Sequence, residues 1–100
     1  MVQKIKETLE KISEVLKKGN EDNYTELIYN ALNGQQDKLW EFLVSNELWG
    51  GAGSIADQAL LDKKELRKKL NEFLVELGNM QINVNKVNDR TEMWVTALKK

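Results

Sequence analysis

The chain has no cysteine, no histidine and no proline. Without cysteine there is no disulfide, thiol nucleophile or thiolate metal site. Without histidine, the commonest general base and the commonest nitrogen ligand for zinc, copper or iron are missing. These two absences close most hydrolytic and transition-metal mechanisms and leave only oxygen-ligand metals such as magnesium or calcium. The absence of proline removes the strongest helix breaker and permits long helices. Long apolar runs are missing too: no stretch approaches the roughly 20 apolar residues of a membrane span. Met1-Val2-Gln3-Lys4 leads straight into a charged segment with no apolar leader. The expectation is a cytoplasmic protein without membrane contact.

What is present is an ordinary globular composition, 41% hydrophobic and 31% charged, which excludes a disordered chain. One hundred residues suffice for one modest core and not two, so residues 1–100 are expected to form a single helical domain. Charge is unevenly spread. Residues 1–34 carry five Lys against six acids, net −1; residues 35–62 one Lys against five acids, net −4; residues 63–100 nine Lys and Arg against five acids, net +4. An acidic middle and a basic end either attract one another or steer a charged partner.

Ile5, Leu9, Ile12 and Leu16, widened by Val15, follow helical spacing and predict a helix over 2–18, with Lys17 and Lys18 at its negative end and Gly19 at C′. Asp22 or Asn23 is placed to cap a second helix over 23–33, which Gly34 ends. Leu39, Trp40, Phe42 and Leu43 predict a well-buried third helix over 36–47. Ser54 and Asp57 form a capping box before a short helical turn, and Asp62 with Glu65 gives a second capping signal. Beyond it, Leu66, Leu70, Phe73, Leu77, Met80, Val84, Val87, Thr91, Trp94 and Leu98 alternate steps of four and three, which argues for one long helix. The stripe is expected to pack against Ile5, Leu9, Ile12, Leu16, Leu39, Phe42 and Leu43. Gly78 and four asparagines weaken continuity, and Met80-Gln81-Ile82-Asn83-Val84 alternates as a strand does. The preferred reading runs helix through Gly78, breaks near Asn85-Lys86 with Asn left-handed, and resumes over 89–98 after an Asn88 cap. The fold expected is all-α, a compact array of about five helices with one long helix in the C-terminal half.

Trp49-Gly50-Gly51-Ala52-Gly53-Ser54 concentrates half of the six glycines beside one of three tryptophans. The segment lacks the lysine of a phosphate loop, the Gly-x-Gly-x-x-Gly spacing and a preceding strand, so neither nucleotide motif fits. It reads as a tight structural corner or as a site whose backbone N–H groups meet a small ligand. An anion at the Ser54 helix start is allowed by the free N–H groups and opposed by Asp57. Glu41, Glu47, Asp57 and Asp62 match no metal loop and read as surface acids. The basic block over 63–69 invites a phosphate, yet pI ≈ 5.5 argues against a nucleic-acid reader. Asn88-Asp89-Arg90-Thr91-Glu92-Met93-Trp94 is the second unusual cluster: Arg90 is placed to stack on Trp94 or pair with an acid, Asp57 being the preferred partner.

Together the two clusters, over roughly residues 39–98, resemble small uncharacterised bacterial helical proteins with an aromatic-Gly-Gly-x-Gly-Ser segment. The resemblance implies a bacterial cytosolic protein and brings no catalytic residues with it. Small acidic helical proteins of this kind serve as immunity or antitoxin partners. The expected function is therefore non-catalytic protein interaction, with a protein partner or self-association, no cofactor and no nucleic acid. The alternative is a small-ligand binder whose pocket is built by Trp49, Gly50, Gly51, Gly53, Ser54 and Asp57, with Arg90 and Trp94 beside it.

Overall fold

A computed structural model describes residues 2–99. Seven helical segments run α1 Val2–Lys18, α2 Asp22–Asn33, α3 Gln36–Leu43, α4 Asn46–Trp49, α5 Ile55–Gln58, α6 Lys64–Asn83 and α7 Thr91–Leu98. Five have eight residues or more and two are single turns, and no strand occurs among the described residues. The all-α array with one long C-terminal-half helix is thus the observed architecture.

The periodicity of α1 buries Ile5, Leu9, Ile12, Val15 and Leu16 on one face. That face packs against α6 and α2, and α6 packs against α7 in turn. At 1.5 Å per residue, the 20 residues of α6 span about 30 Å, close to the 32 Å longest dimension of the molecule. α6 therefore has two ends with different neighbours: the α5 turn at its start, and α3, α4 and α7 at its finish.

The buried line of α6 is Leu70, Leu74, Leu77 and Gln81, with Gly78 beside it. This is rotated from the expected stripe, whose Leu66, Phe73 and Met80 lie half-buried on its flank. The core they join still contains Ile5, Leu9, Ile12, Leu16, Leu39, Phe42 and Leu43. Helix runs through Gly78 to Asn83, so the strand alternative for 80–84 does not form. At Gly78 a methyl group would run into Val95 and come within 3.3 Å of Trp49, so the glycine lets α7 and the indole close on α6. The chain then breaks at Asn85, whose φ is 58°.

Several expected boundaries move. The third helix stops at Leu43 rather than 47, because Ser45 starts α4 by accepting the Leu48 N–H. Neither Asp22 nor Asn23 caps α2, and Asp62 does not cap α6: Glu21 and Lys63 occupy those positions without a side-chain cap. After α1 the left-handed residue is Asn20 (φ 63°), not Gly19. Gly19 is needed for packing instead, since a Cβ there would collide with the Leu60 side chain. The last helix starts at Thr91, two residues later than expected.

Candidate functional site

The corner after α4 is built from short-range capping. The Ser45 hydroxyl starts α4 and donates to the Phe42 carbonyl at 2.6 Å. The Gly50 N–H returns to the Asn46 carbonyl at 2.9 Å, so closely that a side chain at Gly50 would strike the Asn46 backbone. Gly53 takes φ 89°, a conformation open to glycine at no steric cost. Ser54 then caps α5, accepting the Asp57 N–H at 3.1 Å and donating to the Gly50 carbonyl at 2.8 Å. The expected Ser54 cap is thus present, and it closes the corner on itself.

The indole of Trp49 points inward. Trp49 is fully buried, and its Nε1–H donates to Gln81 Oε1 at 3.1 Å. Gln81, also fully buried, donates through Nε2 to the Leu43 carbonyl at 2.8 Å and the Lys86 carbonyl at 3.0 Å. One side chain thereby satisfies an indole, the last carbonyl of α3, which has no helical partner, and a carbonyl in the loop after α6. Trp94 closes the outside, donating its Nε1–H to the Trp49 carbonyl at 2.8 Å. Asn88 binds the joint between α3 and α4, donating to the Val44 carbonyl at 2.8 Å and Asn46 Oδ1 at 3.0 Å while accepting the Arg90 N–H.

The two unusual sequence clusters therefore meet. Arg90 lies over Gly51, its guanidinium 3.8 Å from where a Cβ would stand. The Asp57–Arg90 ion pair does not form; the one ion pair among the described residues is Lys63–Asp62 at 3.5 Å. Nor does Arg90 stack on Trp94: the cation–π contacts are Lys11 over Phe73 and Lys86 over Trp40. The Asp57 charge instead acts on Tyr24 and Arg67, with no ion pair to Arg67. Burial first, then the charges of Glu21 and Asp57, push the Tyr24 phenol above its ordinary range. Its hydroxyl donates to the Gly53 carbonyl at 2.9 Å.

Within the basic block, Arg67 faces the protein interior side of α6 rather than a ligand. Its half-buried guanidinium donates to the Ala59 carbonyl at 2.7 Å and to the Ala56 and Ile55 carbonyls, capping the end of α5. Burial lowers its pKa and Asp57 counters that shift. No signal in the sequence distinguished Arg67 from the lysines around it. Gln81 did leave one: it continues the 70-74-77 spacing as a polar residue on an apolar line.

The open surfaces lie elsewhere. Between α2 and α3 runs a groove of about 490 Å³, with Leu27, Ala31 and Phe42 on its floor and Lys38, Glu41 and Glu47 on its rim. A polar groove of about 650 Å³ at the start of α2 is lined by Glu21, Asp22, Tyr24, Gln58 and Asp62. No three acidic side chains converge as a metal site among the described residues, and none of the helices there is long and apolar enough to cross a membrane. Compared with known proteins, the chain matches no family model, no curated protein and no solved structure.

Proposed function

We propose that this is a non-catalytic protein-interaction domain that receives a basic amphipathic helix of a protein partner in the α2–α3 groove. The observation that carries this reading is the groove itself, with an apolar floor of Leu27, Ala31 and Phe42 and carboxylates Glu41 and Glu47 on its rim. Helix-in-groove recognition uses such a floor for apolar anchors at helical spacing. The rim carries Glu41 and Glu47 against Lys38 alone, so a basic partner is favoured over an acidic one. The same acidity disfavours nucleic acid. An immunity or antitoxin role in a bacterial cytosol is the biological setting this reading suits. It predicts a gene for a toxic partner beside the gene for this chain.

A designed peptide helix with Leu at i, i+3 and i+7 and Lys on its flanks tests the proposal in an NMR titration. Saturable shifts at Leu27, Ala31 and Phe42 are expected. The exposed-rim variant Glu41→Lys/Glu47→Lys should bind at least tenfold more weakly. No saturable shift, or shifts confined to Trp49–Ser54, would overturn it.

A further inference from the structure

Asn33-Gly34 is the one Asn-Gly dipeptide in a chain of ten asparagines, and the fold sets it where α2 ends. Both residues are exposed. Asn33 is the last residue of α2, and Gly34 follows it in extended backbone, with φ −89° and ψ −176°. The residues that close α3, α4, α5 and α6 each return their N–H to a helix carbonyl. The Gly34 N–H donates to no acceptor among the described residues. The Asn33 side chain is held by one exposed bond, Nδ2 donating to the Tyr29 carbonyl at 2.9 Å. Helix ends fray, so one terminal residue can turn its amide toward the Gly34 nitrogen while the rest of α2 stays folded. Gly34 has no side chain to crowd that approach.

This is the arrangement that intramolecular deamidation needs. The Gly34 nitrogen gives its proton to hydroxide and attacks Cγ of Asn33, with the advantage of a nucleophile held beside its target. The N–Cγ bond forms, the Cγ–Nδ2 bond breaks, and Nδ2 leaves as ammonia with a proton from water. Water then opens the five-membered succinimide at either carbonyl, which gives aspartate or isoaspartate. Water is the one co-reactant. We propose that Asn33 is a spontaneous deamidation site that the folded state does not protect. The product puts a carboxylate at the negative end of α2 and removes the donor to the Tyr29 carbonyl. It also alters the α2–α3 groove. Gly34 and Lys38 both line it, and a Cβ on Gly34 would stand 3.1 Å from Lys38 Cβ, so the new charge opposes the one cation of the rim. This last consequence rests on the groove reading above: a more acidic rim holds a basic helix more tightly.

Incubating the folded chain in warm, mildly alkaline buffer tests the site, with proteolysis and fragment-ion mass spectrometry as the readout. Asparagine is thermolabile, and a gain of about one mass unit is expected at residue 33. Its rate should lie within tenfold of that in the urea-denatured chain. Gly34→Ala should slow it at least tenfold, in urea as in buffer, so misfolding of the variant cannot imitate the result. An unreacted residue 33 in the folded chain while the denatured chain reacts would overturn the proposal. So would a faster gain at any other asparagine. Asn33→Asp should bind the designed peptide helix at least twofold more tightly at low salt, and unchanged affinity would overturn the consequence for binding. The mass gain is read without the peptide, so the site and the groove reading fail separately.

Discussion

The two ends of α6 solve opposite problems. At its finish, Gln81, Trp49 and Trp94 form a closed set in which each polar atom meets another inside the protein. At its start, the turn around Leu60 spends its internal bonds on holding a strained backbone and leaves Leu61 and the surrounding charges in water. The finish has the rarer sequence, with three glycines beside a tryptophan, and the start has common residues. Local rarity in this chain marks a place where backbone must pass close to backbone. The open α2–α3 groove, by contrast, is lined by common residues, among them Leu27, Ala31, Lys38 and Glu41.

The comparison can be broken most severely at Trp49. Truncating a buried tryptophan typically costs about 3–5 kcal/mol, so Trp49→Ala should lose stability on that scale in denaturant unfolding. Leu61→Glu, at the other end, should stay within about 0.5 kcal/mol of the parent, as surface changes do. A large loss at Leu61 would show that the turn is packed rather than presented. Gln81→Leu comes next. It strips a partner from the Trp49 indole and from two carbonyls, and a buried unsatisfied group costs about 1–3 kcal/mol.

Gly78→Ala should also destabilise, by about 1–3 kcal/mol, because overpacking against Val95 and Trp49 outweighs the gain of up to about 1 kcal/mol in helix propensity. Pairing it with Val95→Ala should cost less than the two changes separately, a coupling that a double-mutant cycle reads. The smallest effect is alkaline. The Tyr24 phenol is raised above 10.0 in the fold, chiefly by burial, so the folded state favours the protonated form. Its contribution is whole below pH about 10 and is lost as pH rises through the raised value. Tyr24→Phe should therefore flatten the alkaline decline in melting temperature slightly and leave neutral stability little changed.

Much of the fold was legible because it rests on local rules. The period of Ile5 to Leu16 places α1, Ser54 caps α5, and Asn85 takes the left-handed break between α6 and α7. The meeting of the Gly51 and Arg90 regions was also legible, though not its chemistry: Arg90 lies over backbone and forms no ion pair with Asp57. What the pattern hid were side chains whose partners are carbonyls far along the chain. Arg67 looks like its lysine neighbours until the end of α5 arrives beneath it. Leu60 and Leu61 cannot be told apart in sequence, and the sign of φ at Leu60 decides which is buried.

The central claim is that the Trp49 indole is closed off by Gln81 and that a partner is received in the α2–α3 groove instead. Amide hydrogen exchange on the full chain, with and without the designed peptide helix, tests both halves at once. Adding the peptide should slow exchange at residues 27–31 and 38–43, and leave residues 49–54 unchanged. Protection that instead appeared at 49–54, with none around Ala31 and Phe42, would contradict the account.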